Sequence, residues 1–262
     1  MNEKVKKKLN KYTIISIISI LSFLLLWQVM SVTGILSEKI LPAPSKVFSA
    51  MIYKLGNKNP DGSLLQINIL VSLKVACSGL FLAIIIGVPL GWLMGWYKPV
   101  NRFVRPLFEF IRPIPPIAWI PLTILWVGIG LEAKAMIIFF ASFVPCVINA
   151  MAGINSTNQT LINVAKTYGA SNFTIFIKIG IPSSLPMAFA GIRIALNSAW
   201  STLVAAELLA ANAGLGYMIS MGRQYGRVDI IVLGMVSIGI LGFIFSWIFT
   251  KLEHILVKWR TV

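Results

Sequence analysis

VACSGLFLAIIIGVPLGWLMGWY, residues 75–97, carries no charged side chain. A helix needs roughly 20 apolar residues to cross the hydrocarbon core of a bilayer, and this run is longer than that. Further charge-free runs occupy 12–37, 113–131, 135–165, 208–222 and 230–250, while 179–206 is interrupted only by Arg193. Lipid offers no partner to a backbone N–H or C=O, so such runs become helices that bond internally. The expected fold is all-α: a polytopic bundle of six transmembrane helices, near 12–33, 66–96, 106–127, 134–154, 185–209 and 229–251.

Composition agrees. Of 262 residues, 57% are hydrophobic and only 12% charged, about half the charged share of a soluble domain. Mean hydropathy is +0.84. A disordered chain, a collagen and a small disulfide scaffold are excluded. The net charge of +15 would suggest nucleic acid in a soluble protein. Here Lys4, Lys6, Lys7, Lys8 and Lys11 abut the first span, as membrane topology requires, and no nucleic-acid partner is expected. The first run is too long for the 7–15 residues of a signal core and lacks a clear cleavage site, so it reads as a retained helix. Cys77 and Cys146 both sit in apolar runs and read as small core residues.

Six spans place both ends on one side. With the N-terminus inside, thirteen Lys and Arg fall on that side, including Lys98, Arg102, Arg105, Lys166 and Lys178, against seven outside. This favours cytoplasmic N- and C-termini. The organisation read from the runs is a tail, first helix and external segment over 1–60, a five-helix core over 61–251 and a C-terminal tail over 252–262. Gly87, Gly91 and Gly95 are spaced four apart on the second span, and Gly191, Ala195 and Ala199 on the fifth. Small residues at this spacing let helix backbones approach closely. Pro113, Pro115, Pro116 and Pro121 interrupt the third span and free carbonyls that must face protein or water.

The stretch Asn158–Pro186 is the longest cytoplasmic connection. Residues 159–168 suit a short helix, with Gly169 as its left-handed stop. Ser171 suits the cap of a second helix carrying Phe173, Phe176 and Ile177 on one face. Pro182 is expected to end it, with Ser184 and Pro186 starting the fifth span. Two short helices tied to two spans make a rigid handle for a partner's groove. An interfacial hairpin that merely joins spans fits the same pattern.

Charges within spans need reasons, since one at mid-bilayer costs about 2.5–3.5 kcal/mol. Glu109 and Arg112 lie three apart and can pair, with Arg105 sharing. Arg193 and Glu207 are fourteen residues apart, about 21 Å along a helix, and each needs another partner. With Asn197 and Ser201 they form a polar stripe on the fifth span, and Glu109, Arg112, Arg193, Asn197, Ser201 and Glu207 are candidate lining residues of a solute path. A hydrogen-bonded seam between helices explains the stripe as well. No catalytic or metal motif occurs, and no nucleotide-binding glycine loop; His254, the only histidine, reads as a solvated end residue.

Asn163–Ala170, read N-V-A-K-T-Y-G-A, and Ile179–Pro182, read I-G-I-P, resemble the "EAA" loop of ABC-importer permeases, whose pattern is E-A-A-x-x-x-G-A and later I-x-L-P. Ala165, Gly169, Ala170, Ile179 and Pro182 match; Asn163, Val164 and Ile181 replace the Glu, first Ala and Leu. LPAPSKV at Leu41–Val47, RPIPPIAWIPLTILWVGIG at Arg112–Gly130 and AAELLAANAGLGYMI at Ala205–Ile219 are similar to the nitrate, sulfonate and taurine branch of that family. The resemblance implies a type I permease subunit of an ATP-driven importer in a bacterial inner membrane, itself no enzyme and without a cofactor. It implies ATP and Mg on partner ATPase subunits, a second permease copy in a homodimer, and an extracytoplasmic substrate-binding protein. It implies that Asn163, Ala165, Gly169, Ala170, Phe173, Ile179 and Pro182 belong to the coupling segment that meets the ATPase, and that the solute is a small anion. An ion-coupled carrier or channel is the alternative; it would work without an ATPase and would need a membrane carboxylate such as Glu207.

Overall fold

The computed structural model describes residues 3–209 and 212–256, with side-chain surroundings from Ile14 onward except at 209, 254 and 256. Every regular element among them is helical. In chain order these are α1 (Glu3–Val32), α2 (Pro44–Gly56), α3 (Leu65–Trp96), α4 (Lys98–Ile111), a 3₁₀ turn (Pro116–Trp119), α5 (Ile120–Val127), α6 (Leu131–Asn155), α7 (Gln159–Thr167) and α8 (Asn172–Ile175). A π turn (Phe176–Gly180), α9 (Ile181–Leu209), α10 (Leu215–Gln224) and α11 (Val228–Leu256) follow. Among the described residues five stretches are long and apolar enough to cross a membrane, in α1, α3, α6, α8–α9 and α11. A sixth arises if α4 and Pro116–Val127, bent by 86°, count as one. Residues 257–262 of the expected C-terminal tail lie outside the described residues, as does the side chain of His254.

The chain forms two compact units. One comprises the residues up to Gln66 together with Met218–Val236. Here the end of α1 grips the start of α2: Gln28 Nε2 donates to Ser45 Oγ at 3.1 Å, and Ser45 N donates to Gln28 Oε1 at 3.2 Å. Pro44 occupies the first turn of α2, where its missing N–H costs nothing. Lys54 is fully buried and pairs with the equally buried Asp61, and it also donates to the Ser63 carbonyl at 2.6 Å. That one ammonium folds the 57–64 loop back on α2. Arg227 makes a two-pronged pair with Asp229, at 2.9 and 2.7 Å, and its guanidinium lies 5.5 Å from the centre of the Tyr53 ring. The hydrogen bond to Asp229 pushes the guanidinium pKa further up.

The other unit runs over Ile67–Tyr217 and resumes at Ser237. Its centre is α6 packed along α9. A Cβ on Gly191 would sit 2.5 Å from that of Asn149, and the buried Ser142 Oγ donates to the Ala195 carbonyl at 3.3 Å. Helix α3 lies against the same α6 through Gly79, Gly87, Gly91 and Gly95. A Cβ at Gly79 would stand 2.5 Å from the Ala135 carbonyl, and one at Gly91 would press on the Val147 carbonyl. These contacts realise the small-residue spacing read from the sequence, and continue two steps of four further, to Gly79.

Four sequence expectations are corrected. The third span is not one helix over 106–127: α4 begins at Lys98, and Pro113, Pro115 and Pro116 break the ladder before the 3₁₀ turn and α5. Pro182 does not end a helix. The chain passes from α8 through the π turn into α9 without a break, the wider turn falling where Pro182 withholds its N–H. Cys77 is exposed, whereas Cys146 is buried. Lys134, one of the seven Lys and Arg counted outside the spans on the external side, belongs to α6 and is buried. Helices α2 and α10 were not read from the sequence, because both are shorter than a span.

Candidate functional site

Between α6 and α9 the chain builds a hairpin from local signals. Asn158 caps α7, its Oδ1 accepting from Thr160 N at 2.8 Å. Gly169 adopts φ +77°, a backbone state that a residue with a Cβ rarely takes. It closes α7 with two bonds, Gly169 N to Lys166 O at 2.9 Å and Ala170 N to Ala165 O at 3.0 Å. Ser171 then caps α8 by accepting from Thr174 N at 3.2 Å. Asn163, which stands where the family pattern has Glu, is exposed and accepts from Gln159 Nε2 at 3.1 Å.

No residue of α7 is buried. Leu161, Val164, Tyr168 (87% exposed) and Phe173 (66%) present exposed apolar surface. The far side of the hairpin is fixed instead. Phe176 is buried between the Trp96 and Tyr97 rings, with centroids 5.6 and 5.5 Å away, and Trp96 Nε1 donates to Asn172 Oδ1 at 3.2 Å. Gly180 lets the Trp96 ring approach within 3.0 Å of where a Cβ would be. The hairpin is therefore a stiff projection, rooted on the end of α3 as well as on α6 and α9, with a bare apolar face. Ile179 and Pro182 lie half-buried at its root, not on that face.

The polar residues of α9 separate into two groups. Arg193, Asn197 and Ser201 recur every four residues and are exposed. Arg193 pairs with Glu253 of α11. Asn197 and Ser201 border a hollow of about 220 Å³ whose other walls include Trp200, Ile238 and Phe245. Glu207, in contrast, is fully buried. Ser72 Oγ donates to its carboxylate at 2.8 Å and Gly216 N donates to Oε2 at 2.9 Å. Leu215 N donates to Ser72 Oγ at 2.9 Å and Gly214 N to Asn68 Oδ1 at 3.0 Å. Three successive N–H groups opening α10, which a helix start leaves without partners, are thus received by side chains of α3 and α9. Gly214 and Gly216 are required, because a Cβ on either would meet the Glu207 side chain within 2.7 Å. The buried Lys134 ammonium acts on the same carboxylate.

Glu109 lies on the exposed face of α4, 3.5 Å from Arg112 and 3.8 Å from Arg105. The structure thus brings Arg193, Asn197 and Ser201 onto one face, and sets Glu109 with Arg112 and Glu207 each in a separate place. The sequence reading missed Asn68, Ser72 and Glu253. The first two stand four apart on α3, a spacing that signals one helix face but not what it meets. Among the described residues no group of His, Cys, Asp and Glu suited to a metal occurs.

Residues 87–260 match the family model described as "Binding-protein-dependent transport system inner membrane component". The chain is similar to a probable ABC transporter permease of Brucella abortus, 37% identical over 234 residues covering 89% of this chain and 90% of that protein. It is also similar to the taurine transport system permease of Escherichia coli K12, 32% identical over 252 residues, 96% of this chain and 92% of the other. In fold it resembles a permease chain from an inward-facing structure of the MetNI methionine ABC transporter, with TM-score 0.61 and 22% identity over 74% of this chain and 95% of that one.

Proposed function

The chain belongs to the family of binding-protein-dependent transport system inner membrane components, and from that premise we propose how this permease is driven and what it carries. It is a multi-pass transport subunit of an ABC importer, and the α7–α8 hairpin is the part that seats in a separate ATPase. The bare apolar face of Leu161, Val164, Tyr168 and Phe173 on a rigidly rooted hairpin is the observation that carries this reading. Asn163, Ala165, Gly169 and Ala170 shape the projection; Ile179 and Pro182 belong to its root. ATP and Mg²⁺ bind the ATPase, whose closure moves the hairpin and, through Phe176 and Trp96, the end of α3. Both termini and the hairpin lie in the cytoplasm, as the Lys and Arg distribution supports.

A second permease copy completes the path, the two chains forming a homodimer. Arg193, Asn197 and Ser201 line that path, while Glu207 holds α10 and not solute. The charged hollow bordered by Glu38, Lys46 and Arg227 meets the extracytoplasmic binding protein. The solute is a small anion of the taurine type, after the E. coli relative, and the binding protein sets most of its selection. Replacing Val164 with Glu tests the driving step. Loss of ATPase co-purification and of uptake is expected, with the permease still in the membrane. Normal co-purification and uptake would refute it. Uptake that survives ATP depletion under a maintained proton gradient would favour an ion-coupled carrier.

A further inference from the structure

Helix α4 is amphipathic in three strips. Val100, Val104 and Phe108 turn inward, and Phe108 is buried against Met94 and Val147. At 3.6 residues per turn, Phe103, Leu107 and Phe110 form the next strip. They are 78%, 62% and 77% exposed. Beyond them run Lys98, Arg102, Arg105, Glu109 and Arg112, all exposed. Glu109 lies within reach of Arg105 and Arg112, and one carboxylate against four cations leaves the strip a net positive charge.

A helix crossing the bilayer would have its charged strip in hydrocarbon over its whole length. A helix packed on a second protein chain along Phe103 and Phe110 would not need a continuous row of cations beside them. A bare apolar strip flanked by a bare cationic one suits a boundary between acyl chains and charged headgroups. The 86° bend that separates α4 from Pro116–Val127 supplies the geometry: one arm lies along the surface while the charge-free run 113–131 turns into the membrane. We infer that α4 is an interfacial helix, with Phe103, Leu107 and Phe110 in the acyl region and Lys98, Arg102 and Arg105 gathering anionic phospholipid headgroups. The placement follows from α4 itself and does not depend on the transport reading.

The test uses the full-length protein in vesicles of phosphatidylcholine and phosphatidylglycerol, with Cys77→Ser and Cys146→Ala removing the native thiols. Nitroxides are attached one at a time at Arg102→Cys, Phe103→Cys, Arg105→Cys, Leu107→Cys, Glu109→Cys and Phe110→Cys. Oxygen access should peak at 103, 107 and 110 and access of a water-soluble nickel complex at 102, 105 and 109, with mean depth constant along the helix. Depth rising steadily from 102 to 110 would overturn the inference in favour of a spanning helix. Low access of both reagents at 103, 107 and 110 would overturn it in favour of a protein partner. In the wild-type thiol background, spin-labelled phosphatidylglycerol should associate in preference to phosphatidylcholine. Arg102→Gln and Arg105→Gln should each weaken that preference by about fivefold, the weight of one basic residue near an anionic surface. An unchanged preference in the double variant would overturn the headgroup assignment.

Discussion

Two single residues hold geometry that their neighbours depend on. Glu207 collects Ser72 Oγ and Gly216 N, so Glu207→Ala strands two buried donors. We expect about 3 kcal/mol of lost stability, seen as faster thermal inactivation of the purified protein. Glu207→Gln keeps an acceptor and should lose less; equal losses for both would show that the hydrogen bonds are not what counts. Lys54 is the counterpart in the other unit. Lys54→Met leaves the buried Asp61 without its cation, which costs about 3–5 kcal/mol. The double change with Asp61→Leu should regain most of it in the same unfolding measurement. At this scale the sequence was half legible. A carboxylate in an apolar run announces that a partner must exist. It does not name Ser72, which is 135 positions away along the chain, because only packing decides which faces of α3 and α9 meet.

Elements written in local chemistry were read well. Gly169 and Ser171 each act on their own few residues of backbone, so the turn between α7 and α8 follows from their order. Gly169 has open space where a Cβ would be, so substitutions there test conformation alone. Gly169→Asn should be tolerated, and Gly169→Val should cost about 1–2 kcal/mol of local strain and depress uptake; equal uptake in the two variants would show that the φ +77° turn is dispensable. Gly91 is the opposite case. It sits against the Val147 carbonyl, and Gly91→Leu should block assembly of the bundle, measured as loss of membrane-inserted protein. What eluded the sequence was whatever depended on how prolines are absorbed. Pro182 would stop an ordinary helix, but a π turn closed by Ile181 N to Phe176 O carries the chain past it. Pro113, Pro115 and Pro116 produce an 86° bend where a merely interrupted span was expected. A proline specifies the lost N–H and leaves the remedy to the surroundings.

For the whole molecule, charge-free length and small-residue spacing sufficed for an all-helical membrane bundle, since lipid leaves the backbone few alternatives. The contact row from Gly79 to Gly95 on α6 shows that the same residues also encode packing. Neither charge nor periodicity could show how Arg193 finds Glu253 of α11. The central claim concerns the projection at one end of that bundle and its drive by a separate motor. Its most direct measurement is cross-linking from Tyr168→Cys in native membranes containing the co-expressed ATPase. The account predicts an adduct with the ATPase that forms from the cytoplasmic side and whose yield changes when ATP is bound. Labelling of Tyr168→Cys only by an impermeant reagent added from outside, with no ATPase adduct, would contradict it.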